Sequence, residues 1–539
     1  MFCYQCEQTA KGTGCTLKGV CGKEDAVSNL QDILIYTLQG LGQVAHLARK
    51  KGVVDQRADQ LMLEGLFTTV TNVNFDADRI VQLIHEVTKK RDELKANING
   101  QLEGPAAFQP GATREELLGQ FHEAGLERHI EKMDEVRAGI LHLILYGLKG
   151  AAAYADHAHV LGYDHPELAG KFHELMSFIA EGSHPLDQLL EKAMETGNLN
   201  VAVMELLDKA NTETYGHPEP IKARMTPKKG KAILISGHDL KDLEALLEQT
   251  KGKGIHVYTH GEMLPTLAYP KFKQYDHFIG NYGSAWQNQT KEFNDFPGPI
   301  LMTTNCIQQP KTEYMGRIYT SGLVAWPGVT HITDRNFAPL IQDALSMEGF
   351  QEDAPEKFTD VGYARNTVLG VAEVLLQKIG EGKIKHVFLI GGCDGAKPGR
   401  SYYADFAKAT PPDTLMLTLA CGKFRINSET YGDIDGIPRL LDVGQCNDAY
   451  SAVMIAKALA DALGTDINQL PLTLVLSWYE QKAVAILLSL LALGVKNIRI
   501  GPSLPAFIKA PVWEVLQNQW GMKAIDDPQK DLAQILNQA

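Results

Sequence analysis

The hydrophobic period of this chain changes once, near residue 220, and that change restricts it to a helical part followed by an α/β part. Between residue 24 and about 210, apolar side chains recur at helical spacing. Leu30, Ile33, Leu34, Leu38 and Leu41 form one such stripe, and Met133, Val136, Ile140, Leu143, Ile144 and Leu148 another. Strand-like runs are scarce there, so a helix bundle is expected. Gly216-His217-Pro218-Glu219-Pro220, with Met225-Thr226-Pro227-Lys228-Lys229-Gly230 after it, reads as a boundary. Beyond it, short β-rich runs at 232–236, 255–259, 300–304, 387–390, 415–419, 440–443 and 472–476 alternate with helical patterns. That alternation predicts parallel α/β sheets. A chain of 539 residues is too long for one hydrophobic core, and the polar segment 351–356 supplies a second boundary. The expected fold class is therefore α plus α/β. Residues 1–220 hold a cysteine loop and helical bundle, and residues 221–354 and 355–539 form two Rossmann-like domains with parallel sheets.

Charge narrows the partners. The formal net charge is −13, and no local run of Lys and Arg offsets it, so nucleic acid and anionic membrane surfaces are not expected partners. Cys3, Tyr4, Gln5 and Cys6 follow Met1 almost at once, without the basic and apolar regions of a secretory signal. The longest apolar run, 483–495, lies between Lys482 and Lys496 and is shorter than the roughly 20 residues a spanning helix needs. A cytoplasmic location is expected. Structural disulfides are rare there, which makes the eight cysteines candidates for metal or redox chemistry.

Half of them form one motif. Cys3, Cys6, Cys15 and Cys21 are spaced C-x2-C-x8-C-x5-C, with Gly12, Gly14, Gly19 and Gly22 among them. A cubane cluster needs four thiolates converging from a tightly turning loop, and glycines permit such turns. A thioredoxin-like pair is disfavoured because no strand precedes Cys3. Zinc usually takes two short-spaced pairs, whereas the second pair here is five residues apart. The motif favours iron–sulfur, with structural zinc and unliganded thiols as its alternatives.

The other four cysteines each follow a strand-like run: Cys306, Cys393, Cys421 and Cys446. Sites in open parallel sheets form beyond the carboxyl ends of the strands, so these thiols can converge; core cysteines would more often fall inside the strands. His238, Glu262 and Glu480 occupy similar positions, with Lys482 two residues after Glu480. Alone, each is more often a capping or surface group; the shared strand-end placement makes each as readily a ligand. Together, soft thiolates suit sulfide-bridged iron, while imidazole and carboxylates suit iron with oxygen or open positions. Such a site joins an electron-storing half to a substrate-binding half.

Taken with Cys3-Tyr4-Gln5-Cys6, Cys15 and Cys21, the segments Gly237-His238, Gly261-Glu262, Thr304-Asn305-Cys306, Gly391-Gly392-Cys393-Asp394-Gly395, Ala420-Cys421-Gly422, Gly444-Gln445-Cys446 and Trp478-Tyr479-Glu480-Gln481-Lys482 resemble the ligand motifs of the hybrid-cluster (hydroxylamine reductase) family. The resemblance runs along the whole chain, and the N-terminal spacing is similar to the form typical of anaerobes. It implies a [4Fe-4S] cluster on Cys3, Cys6, Cys15 and Cys21. It implies a hybrid [4Fe-2O-2S] cluster on His238, Glu262, Cys306, Cys393, Cys421, Cys446 and Glu480, with Cys393 as the persulfide position and Lys482 against the oxygen side. The implied fold is a helical domain followed by two α/β domains.

The implied activity is reduction of hydroxylamine to ammonia and water, with His238, Glu480 and Lys482 at the reacting centre. Lys482 or His260 would be the proton donor. Nitric oxide reduction in nitrosative-stress defence is the enzymatic alternative, and a protein-nitrosylating or sensor protein the non-enzymatic one. Carbon monoxide dehydrogenase activity would need nickel and further cysteines. No G-x-G-x-x-G follows a strand and no P-loop is present. An external electron donor is therefore expected, either a small redox protein or an NADH-dependent reductase.

Overall fold

The computed structural model describes residues 1–96, 98 and 102–537. Its N-terminal part is helical, with Asp25–Lys50, Gln56–Thr68, Ala77–Lys95, Glu135–Val160, Pro166–Glu181 and Leu186–Tyr215 as the principal helices. Three of these starts are capped by aspartates: Asp55 takes the N–H of Ala58, Asp76 that of Asp78, and Asp134 that of Arg137. Glu135–Val160 is long and apolar enough to cross a membrane by composition, but its apolar window is wholly buried. It is the central helix of the bundle, packed on Leu186–Tyr215 and Gln56–Thr68.

Two six-stranded parallel sheets follow among the described residues. The first has the spatial order Phe278–Asn281, Ile255–His260, Lys231–Ser236, Ile300–Met302, Ile318–Ser321, Thr330–Ile332. The second runs Leu440–Gly444, Thr414–Leu419, His386–Gly392, Leu472–Ser477, Arg499–Gly501, Lys523–Ala524. Strand order reverses between Lys231–Ser236 and Ile300–Met302 in the first sheet, and between His386–Gly392 and Leu472–Ser477 in the second. Beyond the carboxyl ends of strands at such a reversal a crevice opens. His238 and Cys306 follow the first pair, and Cys393 and Glu480 the second. An antiparallel ribbon of Ile221–Arg224 and Phe358–Val361 links the two α/β segments.

Within the two six-stranded sheets, the strands outside the sequence reading (278–281, 318–321, 330–332, 499–501 and 523–524) have two to four residues each and lie toward sheet edges. Runs that short carry no readable alternation.

The helix Gln481–Ala492 leaves the second sheet and packs into the bundle through two glycines. A Cβ on Gly150 would lie 2.2 Å from the Gln481 carbonyl oxygen, and one on Gly197 would lie 2.2 Å from that of Leu488. Both neighbours are backbone, so neither can rotate away. Gly150→Ala is expected to destabilise the chain by about 1–3 kcal/mol through overpacking, read as a lower thermal midpoint. Gly119→Ala, with nothing within 4 Å of the new carbon, is expected to leave that midpoint unchanged.

Candidate metal centre

The N-terminal cysteines close a compact loop. Cys3 and Cys15 exchange backbone hydrogen bonds of 3.0 and 2.8 Å, and the Ala10 N–H points at the Cys15 sulfur at 3.4 Å. Burial, and then the neighbouring thiols Cys3 and Cys21, push the Cys6 thiol well above its usual range. Two lysines are buried behind the loop: the Lys149 Nζ donates to Gln5 Oε1 at 2.9 Å, and the Lys23 Nζ to Gln31 Oε1 at 2.5 Å. Four cysteines gathered in one loop, with the buried Lys23 ammonium behind them lowered by burial but raised further by the neighbouring thiolate charge, suit an anionic metal–thiolate cluster.

The second group converges from seven strand ends. His238, Glu262, Cys306, Cys393, Cys421, Cys446 and Glu480 all line one cavity of about 30 Å³. The ligand atoms of His238, Glu262 and Cys446 lie within 4.8 Å of one another. Local backbone explains how the chain turns so tightly at these points. Gly392 adopts φ +108°, and a Cβ there would sit 2.1 Å from the Ser477 carbonyl oxygen of the next strand. Ala420 holds φ 62° and ψ −167°, a region seldom entered by residues other than glycine and typical of functional turns.

Hydrogen bonding sets the histidine tautomer. Thr304 Oγ1 donates to the Asn305 carbonyl at 3.2 Å, so it accepts from His238 Nδ1 at 2.8 Å. The lone pair of His238 therefore sits on Nε2, 4.0 Å from Glu262 Oε2 and 3.1 Å from the Lys482 Nζ. Burial, and then the Lys482 charge, hold His238 well below its usual pKa, neutral as a ligand must be. Glu262 Oε2 accepts the Cys446 N–H at 2.8 Å, whereas its Oε1 is buried with no hydrogen-bond partner among the described residues. A buried carboxylate oxygen with no hydrogen-bond partner, facing thiols, is free to ligate a cation.

The electrostatics agree. Burial pushes Cys393 up to about 12 and Cys306, Cys421 and Cys446 well above the usual thiol range. Glu480 is likewise raised by burial. Lys482 is pushed down by burial, but the thiolate and carboxylate charges of Cys446, Glu480, Cys306 and Glu262 push it up further. With every donor ionised, one lysine faces four thiolates and two carboxylates. The four thiols, all pushed up by burial, stay protonated until cations displace the protons. The donors therefore fit an iron–sulfur group with added oxygen-type ligands.

Several contributors escaped sequence reasoning. Asn305 holds the Lys482 Nζ at 3.0 Å through Oδ1, and its Nδ2 lies 3.3 Å from the Cys306 sulfur. His157, on the central bundle helix, lies with its ring 6.3 Å from that of His238, and Tyr154 donates to the Cys446 carbonyl at 3.3 Å. Both read as core positions of an apolar helix. His260 was a candidate proton donor, but its nitrogens are taken by Ser236 Oγ at 3.0 Å and Glu292 Oε2 at 2.9 Å, and it does not line the cavity.

A helical bundle and two parallel sheets around a buried thiol, imidazole and carboxylate set define the class, an iron–sulfur oxidoreductase. The sequence matches the Prismane/CO dehydrogenase family over residues 1–533, and the chain belongs to that family. It is 53% identical over 537 residues to a hydroxylamine reductase of Maridesulfovibrio salexigens, covering 99% of this chain and 100% of that one. It is 52% identical over 542 residues to a hydroxylamine reductase of Methanocella arvoryzae, with the same coverage. Among solved structures it is similar in fold to carbon monoxide dehydrogenase IV from Carboxydothermus hydrogenoformans, with a TM-score of 0.57 at 15% identity over 99% of this chain and 92% of that one.

Two separate donor groups make a divisible prediction. In anaerobically purified protein, Cys6→Ser is expected to remove about half of the iron and Cys446→Ser the other half, by metal analysis. Loss of all iron from either variant would contradict two independent sites.

Proposed function

We propose that this chain reduces hydroxylamine: NH2OH, two electrons and two protons give NH3 and H2O. In this reading Cys3, Cys6, Cys15 and Cys21 hold a [4Fe-4S] cluster that takes up electrons from an external donor. His238, Glu262, Cys306, Cys393, Cys421, Cys446 and Glu480 hold a hybrid [4Fe-2O-2S] cluster. When bound, the hybrid cluster supplies electrons and an open Lewis-acidic iron position. The observation that carries the proposal is one buried ammonium group in contact with His238 Nε2 and Asn305 Oδ1, two residues of a mixed thiol, imidazole and carboxylate cavity. The full-length similarity to hydroxylamine reductases supports the choice of substrate.

The chain's own residues manage the proton and the orientation. Lys482 has three N–H donors, which serve Asn305 Oδ1 at 3.0 Å and His238 Nε2 at 3.1 Å, with Glu480 Oε1 at 3.9 Å as the ion-pair partner. The Nε2 lone pair can serve one partner at a time. As a metal ligand, His238 no longer accepts from Lys482, which frees an N–H for the substrate oxygen. Lys482 then acts as general acid to the departing hydroxyl, which leaves as water. Asn305 and the Glu480 carboxylate, itself held by the Lys482 backbone N–H at 2.8 Å, keep the ammonium in place. Burial of Glu480 and Lys482, 2% and 1% exposed, keeps competing water out.

Nitric oxide reduction is the second reading, and one feature favours it. An apolar cavity between the second sheet and the helices Ala449–Leu463 and Gln481–Ala492 has Cys393 and Cys446 in its wall, together with Leu389, Leu417, Val453 and Leu487. Such a passage suits a small apolar gas better than polar hydroxylamine.

Lys482→Met is expected to keep its iron and to lose about 10²–10⁴-fold in kcat with hydroxylamine, measured as ammonia formed anaerobically. Wild-type turnover in that variant with full iron would remove Lys482 from the chemistry. A far larger wild-type kcat/KM for nitric oxide would give the site to the second reading.

A further inference from the structure

The two most exposed large apolar side chains among the described residues are Leu17, 88% exposed, and Val20, 57% exposed. They are three residues apart, and both stand between Cys15 and Cys21. The other exposed large apolar side chains of the described residues are each less exposed; Val371 and Val374, both 43% exposed, form the other close pair, at the start of the helix Ala372–Gly380, which carries no cysteine. A pair projecting from the cysteine loop itself is different, because the same loop brings its thiols near the surface: Cys3 and Cys21 are half-buried while Cys6 and Cys15 are buried. Trp326 flanks the loop, its ring within 3.3 Å of where a Cβ on Gly22 would sit.

The local charge differs from that of the whole chain. Residues 8–23 contain Lys11, Lys18 and Lys23 and no acid, in a chain of net charge −13. Lys23 points inward to Gln31. Lys18 pairs with Glu24 at 2.5 Å, and the N-terminal ammonium with Asp25 at 2.9 Å. Lys11 is exposed and stands beyond these pairs. Lys397, about one-third exposed, reaches the Glu7 carboxylate, which Arg400 also binds at 3.2 Å. Lys11 is thus the loop cation that stands apart from these acidic partners, on a molecule of net charge −13. An acidic partner is repelled by the rest of the surface and finds its favourable approach here.

We propose that the face formed by Leu17, Val20, Lys11 and Lys18 is the docking site of a small acidic one-electron carrier protein. It rests on the reading that Cys3, Cys6, Cys15 and Cys21 hold a [4Fe-4S] cluster. In each encounter the carrier's reduced centre loses one electron and the cluster gains one; two encounters supply one turnover. A small apolar contact within a charged rim gives a partner that lands quickly and leaves quickly, as repeated single-electron delivery requires.

The test uses the full-length holoprotein, oxidised and mixed anaerobically with a reduced acidic [2Fe-2S] ferredoxin as the probe, while iron–sulfur absorbance is followed in stopped flow. The wild-type second-order rate is expected to fall as salt rises. The double variants L17D/V20D and K11E/K18E, all at exposed positions, are expected to lose at least tenfold in that rate. Their iron content and their reduction by dithionite should match wild type. Intact clusters with unchanged ferredoxin rates in both variants would overturn the docking site alone. So would a rate that rises with salt, faster exchange with a basic carrier such as a c-type cytochrome, or sedimentation showing this face covered by a second copy. Wild-type protein without iron on the N-terminal cysteines would instead overturn the cluster reading beneath it.

Discussion

The arrangement of this protein depends on one electrostatic constraint: four thiols line one buried cavity beside the carboxylates of Glu262 and Glu480, with the Lys482 ammonium held against its wall by His238 and Asn305. No folded chain keeps such a set ionised without cations, because each buried charge loses its hydration. The raised thiol pKa values around the cavity are the apo side of that constraint. Metal loading is the other side, exchanging protons for iron. The unpartnered Glu262 Oε1 and the neutral His238, its lone pair turned inward by Thr304, are both oriented for that exchange.

The scaffold answers the constraint by drawing on every part of the chain. The donors come from the reversal points of two parallel sheets. The helix Gln481–Ala492 joins them to the bundle, with Glu480 as its N-cap and Lys482 in its first turn. Gln481 between them donates to the Gln5 carbonyl of the N-terminal loop at 2.6 Å and accepts the Thr71 N–H at 2.8 Å. Tyr479, just before, accepts the Glu7 N–H on its carbonyl at 2.9 Å and lies 4.4 Å from the Trp286 ring. Four consecutive residues thus tie the cysteine loop to the larger cavity, which places the two donor groups in one rigid frame. Gly150 and Gly197 allow this helix to sit close enough for the tie to form.

Much of this was legible in the sequence because the donors sit where the topology needs them. Cys393, Cys421, Cys446, His238, Glu262 and Glu480 each follow a strand by one to three residues, and an apolar run ending in a polar donor is visible without coordinates. The bundle was readable from its helical period. Short edge strands were not, since two to four residues define no period. Supporting residues were harder still. His157 and Tyr154 lie on an apolar helix where each reads as core, and nothing local says that this helix passes beneath the cavity. Asn305 was visible beside Cys306, but its role in holding Lys482 arises from a contact spanning 177 residues. His260 shows the converse error: a histidine at a strand end resembles a donor until Glu292 and Ser236 are seen to occupy it.

The most direct measurement is iron-edge anomalous diffraction from anaerobically grown crystals of the loaded protein. Two separate groups of iron peaks are expected, one enclosed by Cys3, Cys6, Cys15 and Cys21. The other should lie in the cavity with His238 Nε2, Glu262 Oε1 and Glu480 among its nearest neighbours. Zinc in place of iron, or a single iron group with the cavity filled only by water, would contradict it.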